Sequence, residues 1–384
     1  MKLDTSQFDQ AFELLNKAIT IKVNAYGDSH HAICKSLHGL ANYHAATGNT
    51  TEANELLQQA LTINQDTFGK KHPEVAVTLT HLGHLYFDMC KYKEALAYFS
   101  EARTITEKSF GNNQPPVALL LQCQANCQTE LGLFNEAEIL YRNALKFQYE
   151  RLGEEHPQTA VTLNNLANLL TIQGQFQEAK SYYEKSLNIK EGFFGFDNRH
   201  TAITISNYAT LEKSLGNYEN ADKLFNESIS IYENAFSPLL LNAANTYYGY
   251  AGLLHETADL NSSQDMHLKS LSIRSNQLDT EHPHIANSLH GLGAVLHDIG
   301  DYAQAQEMLD KSLEIRINNF GEFHPQTAYS LHNLASLVHD KGNYKEALKI
   351  NKQVLQIRES IYGKDHPHTS SSQLNLSLIH ISEP

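Results

Sequence analysis

The chain repeats itself every 42 residues, and no insertion or deletion interrupts the step. Residues 152–160 read LGEEHPQTA and residues 320–328 read FGEFHPQTA, four periods apart. When each row is counted from the slot that His156 occupies, that slot recurs at His30, His72, Gln114, Asn198, Leu240, His282, His324 and His366. A strict period of this size means a repeated structural unit that cannot bury its apolar face alone and stacks on its copies. One repetitive architecture therefore accounts for 384 residues better than two or three separate domains, and no Gly/Pro/Ser-rich linker divides them.

Inside a row the apolar residues follow i, i+3, i+4, i+7, as in Leu163, Leu166, Ala167 and Leu170, which predicts an amphipathic helix. Pro157 stands where that helix begins, because a first helical turn leaves its amide hydrogens unpaired and proline's fixed φ suits the start. Gly174, at position 18 of its row, breaks the pattern, and Gly48, Gly132, Gly216, Gly300 and Gly342 do the same elsewhere. A second periodic segment follows over 176–189 and ends at Gly195, whose counterparts include Gly69, Gly321 and Gly363; Ser237 and Asp279 are exceptions. Alanine at position 23, as in Ala53, Ala179 and Ala347, lets the two helices approach closely. The predicted fold is all-α, a solenoid of helical hairpins. It comprises a half row over 1–29, eight full rows over 30–365 and a truncated ninth over 366–384. The last nine residues, LSLIHISEP, resemble a translated transposon-end adapter from a sequencing library; a genuine curtailed helix is the other reading.

The strings LxNLA, GxFxEA and ALxI resemble the tetratricopeptide repeat, and the 42-residue unit with GxxHP at its joint is similar to the kinesin light chain type. The resemblance spans residues 8–375. It implies a right-handed superhelix whose first helices line a concave groove for peptides or partner proteins. Positions 5, 8, 12, 15 and 16 of each row would face that groove. The candidate partner-binding residues are Asn126, Asn164, Asn168, Thr171, Ser206, Tyr248, His290, His297, His332 and His339. Mostly polar and uncharged, these side chains suit hydrogen bonding to an extended peptide, or they are simply solvated helix faces.

Rows six to eight add His255 with Glu256, His297 with Asp298, and His339 with Asp340. A single metal ion is disfavoured, since His290 and His297 lie about 10 Å apart along a helix. A pH-sensitive polar face and a solvated face copied by duplication both remain as readings. Row six departs most from the pattern, with Leu240, Ala258 and Ser263 at conserved-type slots and Tyr247, Tyr248 and Tyr250 on its first helix; it is the expected bend or weak point. Tyr247 and Tyr250 also read as simple refilling of the core.

With 29 Lys and Arg against 43 Asp and Glu, the net charge is −14, which argues against a nucleic-acid backbone as ligand. Lys35 and Lys213 are the only Lys or Arg residues in the groove columns, so the expected partner is a neutral or basic peptide or protein. No apolar run reaches the about 18 residues of a membrane helix, no signal segment opens the chain, and the four cysteines have no metal spacing. The expectation is a cytoplasmic, non-enzymatic scaffold with no cofactor and no metal. There is no phosphate-cradling loop, nucleophile elbow or HExxH to suggest otherwise. The alternative is the sensor or autoinhibitory arm of a larger signalling enzyme. Nothing in the pattern sets an oligomeric state.

Overall fold

The computed structural model describes residues 5–111, 114–235, 241–364, 369–374 and 376. Among them every regular element is helical. In chain order these are α1 (Thr5–Tyr26), a 3-10 turn (His31–Ile33), α2 (Cys34–Ala46), α3 (Thr50–Phe68), α4 (Pro73–Asp88), α5 (Tyr92–Phe110), α6 (Pro115–Glu130) and α7 (Phe134–Arg151). They continue with α8 (Pro157–Ile172), α9 (Phe176–Phe194), α10 (Arg199–Ser214), α11 (Tyr218–Ala235), α12 (Leu241–Glu256), α13 (Leu260–Gln277), α14 (Pro283–Ile299), α15 (Tyr302–Phe320), α16 (Pro325–Asp340) and α17 (Tyr344–Tyr362). Helix α1 is the lone second helix of the half row, and each later pair forms one row. The expected all-α succession of helical hairpins is what forms.

The helices fall into two compact units, residues 1–166 and 167–384. The first is cored by Leu57, Leu79, Leu82 and Phe99, and the second by clusters that include Ile205, Tyr247, Leu309, Leu331 and Val354. The alanines at position 23 are fully buried, Ala53, Ala95, Ala305 and Ala347 among them, as their close-packing role requires.

The recurring joint is held by all of its residues at once. His324 Nδ1 accepts the Gln326 amide at 3.2 Å, its ring stacks on Phe320 at 4.4 Å, and the Thr327 hydroxyl donates to the Gly321 carbonyl at 2.8 Å. His72 repeats this, accepting from Glu74 at 3.2 Å and stacking on Phe68 at 4.4 Å. An N-cap acceptor of this sort contributes about 1 kcal/mol per helix. The histidine is thus the cap, and the proline after it needs none.

Row six keeps the common hairpin despite its substitutions. Ala258 adopts φ 63° where other rows place glycine, and Cys90 does the same in row two at φ 57°. Ser263 is fully buried in the alanine slot, where its hydroxyl donates to the Ala251 carbonyl at 2.8 Å. Leu240, Ser237, His366 and 377–384 lie outside the described residues. A side chain in the left-handed region costs about 1–2 kcal/mol relative to glycine. Ala258→Gly should therefore raise stability by about 1 kcal/mol in urea unfolding, and Cys90→Gly by less, because it also removes a buried side chain. A loss of stability in both would overturn this assignment of strain.

Candidate partner-binding face

Within each unit a first helix buries one stripe on the second helix of its own row and turns another toward the first helix of a neighbouring row, as α2 does toward α4 and α12 toward α14. In the 1–166 unit this second stripe is largely occupied by its own hydrogen bonds. His38 Nε2 meets the Thr78 hydroxyl at 2.9 Å, and Gln122 Oε1 accepts the Thr162 hydroxyl at 2.8 Å. Asn126 Oδ1 accepts from the Tyr141 hydroxyl at 2.6 Å and from Asn165 at 3.1 Å. Asn164, only 4% exposed, donates to Asn165 at 3.1 Å. Position 8 therefore lies at the seam between first helices rather than open to a ligand in these rows. Asp88 and Glu130, at position 16, are exposed, yet the protein packed around them raises their carboxyls to about 6 and about 7.

In the 167–384 unit, Asn168 accepts the Tyr183 hydroxyl and the Thr171 hydroxyl is tied to the Ala167 carbonyl at 2.8 Å. Ser206 is buried. The remaining candidates lie in rows six to eight. Tyr248 and His332 are half-buried, and His290 Nε2 accepts the Asn333 amide at 3.3 Å. The histidine–carboxylate ladder is continuous, because position 15 of one row pairs with position 16 of the next. His255 Nε2 reaches Asp298 at 2.7 Å, and His297 Nε2 reaches Asp340 at 2.9 Å. His339 Nδ1 closes the series on Asp340 at 3.0 Å, and Lys213 pairs with Glu256 at 2.8 Å in the same register. Partial burial by itself raises the Asp340 carboxyl, but the hydrogen bonds and charges of His339 and His297 outweigh it and hold it below its ordinary value. Glu256, Asp298 and Asp340 keep 44–49% of their side chains exposed, so the ladder forms an acidic rim.

Beneath this rim lies a feature that reading the first helices alone misses. Position 34, on the second helix, carries Lys190, Arg274, Arg316 and Arg358, all buried. Each reaches the first helix of the next row: Lys190 to Thr204 at 2.6 Å, Arg274 to Ser288 at 2.7 Å, Arg316 to Ser330 and Arg358 to Ser372 at 2.8 Å. Arg274 also lies 5.2 Å from the centre of the Tyr248 ring. Burial lowers Lys190 to about 8 and both Arg274 and Arg316 to about 10. The recurrence of arginine at 42-residue intervals was the available signal. It sat in a helix assigned to packing.

The family profile of the tetratricopeptide repeat matches the chain at residues 1–66, 34–108, 74–148, 116–192, 200–276, 243–317, 284–360 and 326–382. Among solved structures, a Rap protein complexed with Competence and Sporulation Factor is 11% identical, with TM-score 0.58 over 91% of this chain and 98% of that one. Kinesin light chain nearly identical TPR-like repeats from Podosopora anserina are 23% identical, with TM-score 0.45 over 54% of this chain and 98% of theirs. No curated protein matches.

Proposed function

We propose, from the premise that this chain belongs to the tetratricopeptide repeat family, that it is a non-enzymatic scaffold holding a peptide or partner protein against its first helices. The observation that carries this reading is the face of rows six to eight. There Tyr248 and Asn245 combine aromatic surface with an amide that keeps access to solvent. Rigid helices hold these groups in place before any ligand arrives, which lowers the ordering cost of binding. The exposed carboxylates of the rim favour a partner segment with neutral or basic side chains over an acidic one. The Rap structure, similar in fold, is a complex with a factor, and the same use of the fold is proposed for this chain. Among the described residues no helix is long and apolar enough to cross a membrane, and a cytoplasmic site of action belongs to the same proposal.

Asn164, Asn168, Thr171 and Ser206 are committed to internal bonds or buried, so the test concentrates on Tyr248. The full chain is used as bait, captured proteins are identified by mass spectrometry, and their affinities are measured for wild type and Tyr248→Ala. Aromatic anchors in such sites contribute about 2 kcal/mol, so binding should weaken about 30-fold. If every captured partner binds the variant as tightly as wild type, this face is not the site.

A further inference from the structure

The arginines of rows six and seven have more donors than acceptors. Arg316 Nη1 donates to the Gln326 carbonyl at 2.9 Å and the Ser330 hydroxyl at 2.8 Å, and Nη2 donates to Asn287 Oδ1 at 2.8 Å. Its Nε is buried with no acceptor. Arg274 repeats the arrangement, donating to the His284 carbonyl, the Ser288 hydroxyl and Asn245 Oδ1 at 2.7–2.8 Å, again with an unpartnered Nε. A guanidinium has five N–H groups, so two on each arginine are unspent. The same neighbourhood holds two more orphans. His290 takes the Asn333 amide on Nε2, which puts its own proton on Nδ1, and that atom has no partner; His267 Nδ1, a donor in one tautomer and an acceptor in the other, has none either. Tyr248 links the group: its ring centre lies 5.2 Å from the Arg274 guanidinium and 5.5 Å from the His267 ring, which packs against Gly291 beside His290, while Arg316 reaches the same helix at Asn287.

No carboxylate compensates these cations: the ion pairs among the described residues include none at Arg274 or Arg316. Buried charges are ordinarily paired and buried donors are ordinarily satisfied. A water molecule accepts at most two of these N–H groups, brings two hydrogens that need acceptors of their own, and supplies no charge. A carboxylate, or the unprotonated oxygens of a phosphate, accepts several N–H groups and supplies the missing charge.

We propose that Arg274, Arg316, His267 and His290 form the floor of an oxyanion site beneath the first helices of rows six and seven, taking a carboxylate or phosphate group. Asn245 is exposed and Asn287 half-buried, and their side-chain carbonyls are the acceptors on the solvent side of the two guanidiniums. A partner suited to the whole face carries neutral or basic side chains for the rim and one oxyanion for the floor. The floor itself is tested without any partner.

Thermal unfolding of the full chain is followed at pH 7.5 and constant ionic strength in chloride, acetate and phosphate, with the anion titrated. The midpoint should rise by about 3 °C and saturate in at least one oxyanion; acetate alone marks a carboxylate site and phosphate alone a phosphate site. The double variant Asn245→Asp, Asn287→Asp places a built-in carboxylate against each guanidinium. It should be more stable than wild type in chloride and lose the saturable response, whereas a general salting effect would persist in it. Identical wild-type midpoints in all three salts mean that water satisfies the donors, and the proposal falls. It falls equally if the Asp variant responds as wild type does. Either result leaves the partner-binding reading standing, because that reading rests on Tyr248 and its partner's affinity.

Discussion

At pH 5 the 167–384 unit is less stable than at pH 7.5 by about 2 kcal/mol for each of three histidines, His267, His284 and His290. Burial is the main reason, with neighbouring arginines adding to it: the imidazolium form is disfavoured, and His267 and His284 are lowered to about 3, with His290 also well below its ordinary value. An unfolded histidine takes up its proton near pH 6.5, whereas these folded ones do not until the pH is far lower. Between those limits the unfolded state binds more protons. Stability that is complete above pH 6.5 is therefore lost as the pH falls, by about 1.4 kcal/mol per unit per histidine. Arg274, Arg316, His255, His282 and His332 act on these rings in the same direction, all being cationic or able to become so. Asp340 takes no part above pH 5, because its carboxyl is held below its ordinary value and its contribution is lost only in stronger acid.

The 1–166 unit responds less steeply. His38 is lowered to about 4 and His81 and His84 are lowered too, but the raised carboxyls of Asp88 and Glu130 favour the protonated folded state and oppose them. Hydrogen exchange resolved by segment, between pH 7.5 and 5, measures the two units separately. His267→Gln should remove about 2 kcal/mol of the second unit's loss of stability between pH 7.5 and 5. A slope unchanged by that substitution, or no slope at all, would show that these imidazoles are not the groups responsible.

Gly291→Ala is the second substitution with a large expected effect. A methyl group at Gly291 would lie 2.2 Å from His267 Cε1 and 2.7 Å from both ring nitrogens. His267 is 3% exposed and packs edge-on against Tyr248 at 5.5 Å, so the ring has nowhere to retreat. Overpacking of this kind costs about 1–3 kcal/mol, against the about 0.5–1 kcal/mol that Gly→Ala usually gains in a helix. Gly252→Ala is the control, since its methyl meets only the Lys213 ammonium, at 3.4 Å and on a flexible stem. Gly291→Ala should destabilise and Gly252→Ala should not. In a double-mutant cycle His267→Ala should cancel most of the Gly291→Ala cost. Equal effects of the two glycine substitutions would mean that His267 does not fill the space assigned to it.

Most of the hairpin architecture was legible because it is local. A proline that starts a helix, a glycine that turns left-handed at position 18, and apolar residues spaced three and four apart act within one row, and a period of 42 copies them without drift. The roles inside the joint were less visible. Its regularity is plain from the sequence, but that His324 caps and stacks while Thr327 ties back to Gly321 depends on bonds that spacing alone does not assign.

The face that meets a partner was legible only in part. Helical periodicity puts Asn164 and His290 in one column, yet it cannot say how closely the next row's first helix lies against that column. Asn164 is buried beside Asn165, whereas His290 retains an unspent donor. Arg274 and Arg316 reach the same region from second helices, across a distance in sequence that no local pattern spans. The sequence by itself determined the repeat, the hairpin and the joint, since those follow from contacts within a few turns of one chain segment. Which polar groups remain available was decided only by the tertiary structure, because availability is what is left after neighbouring rows have taken their hydrogen bonds.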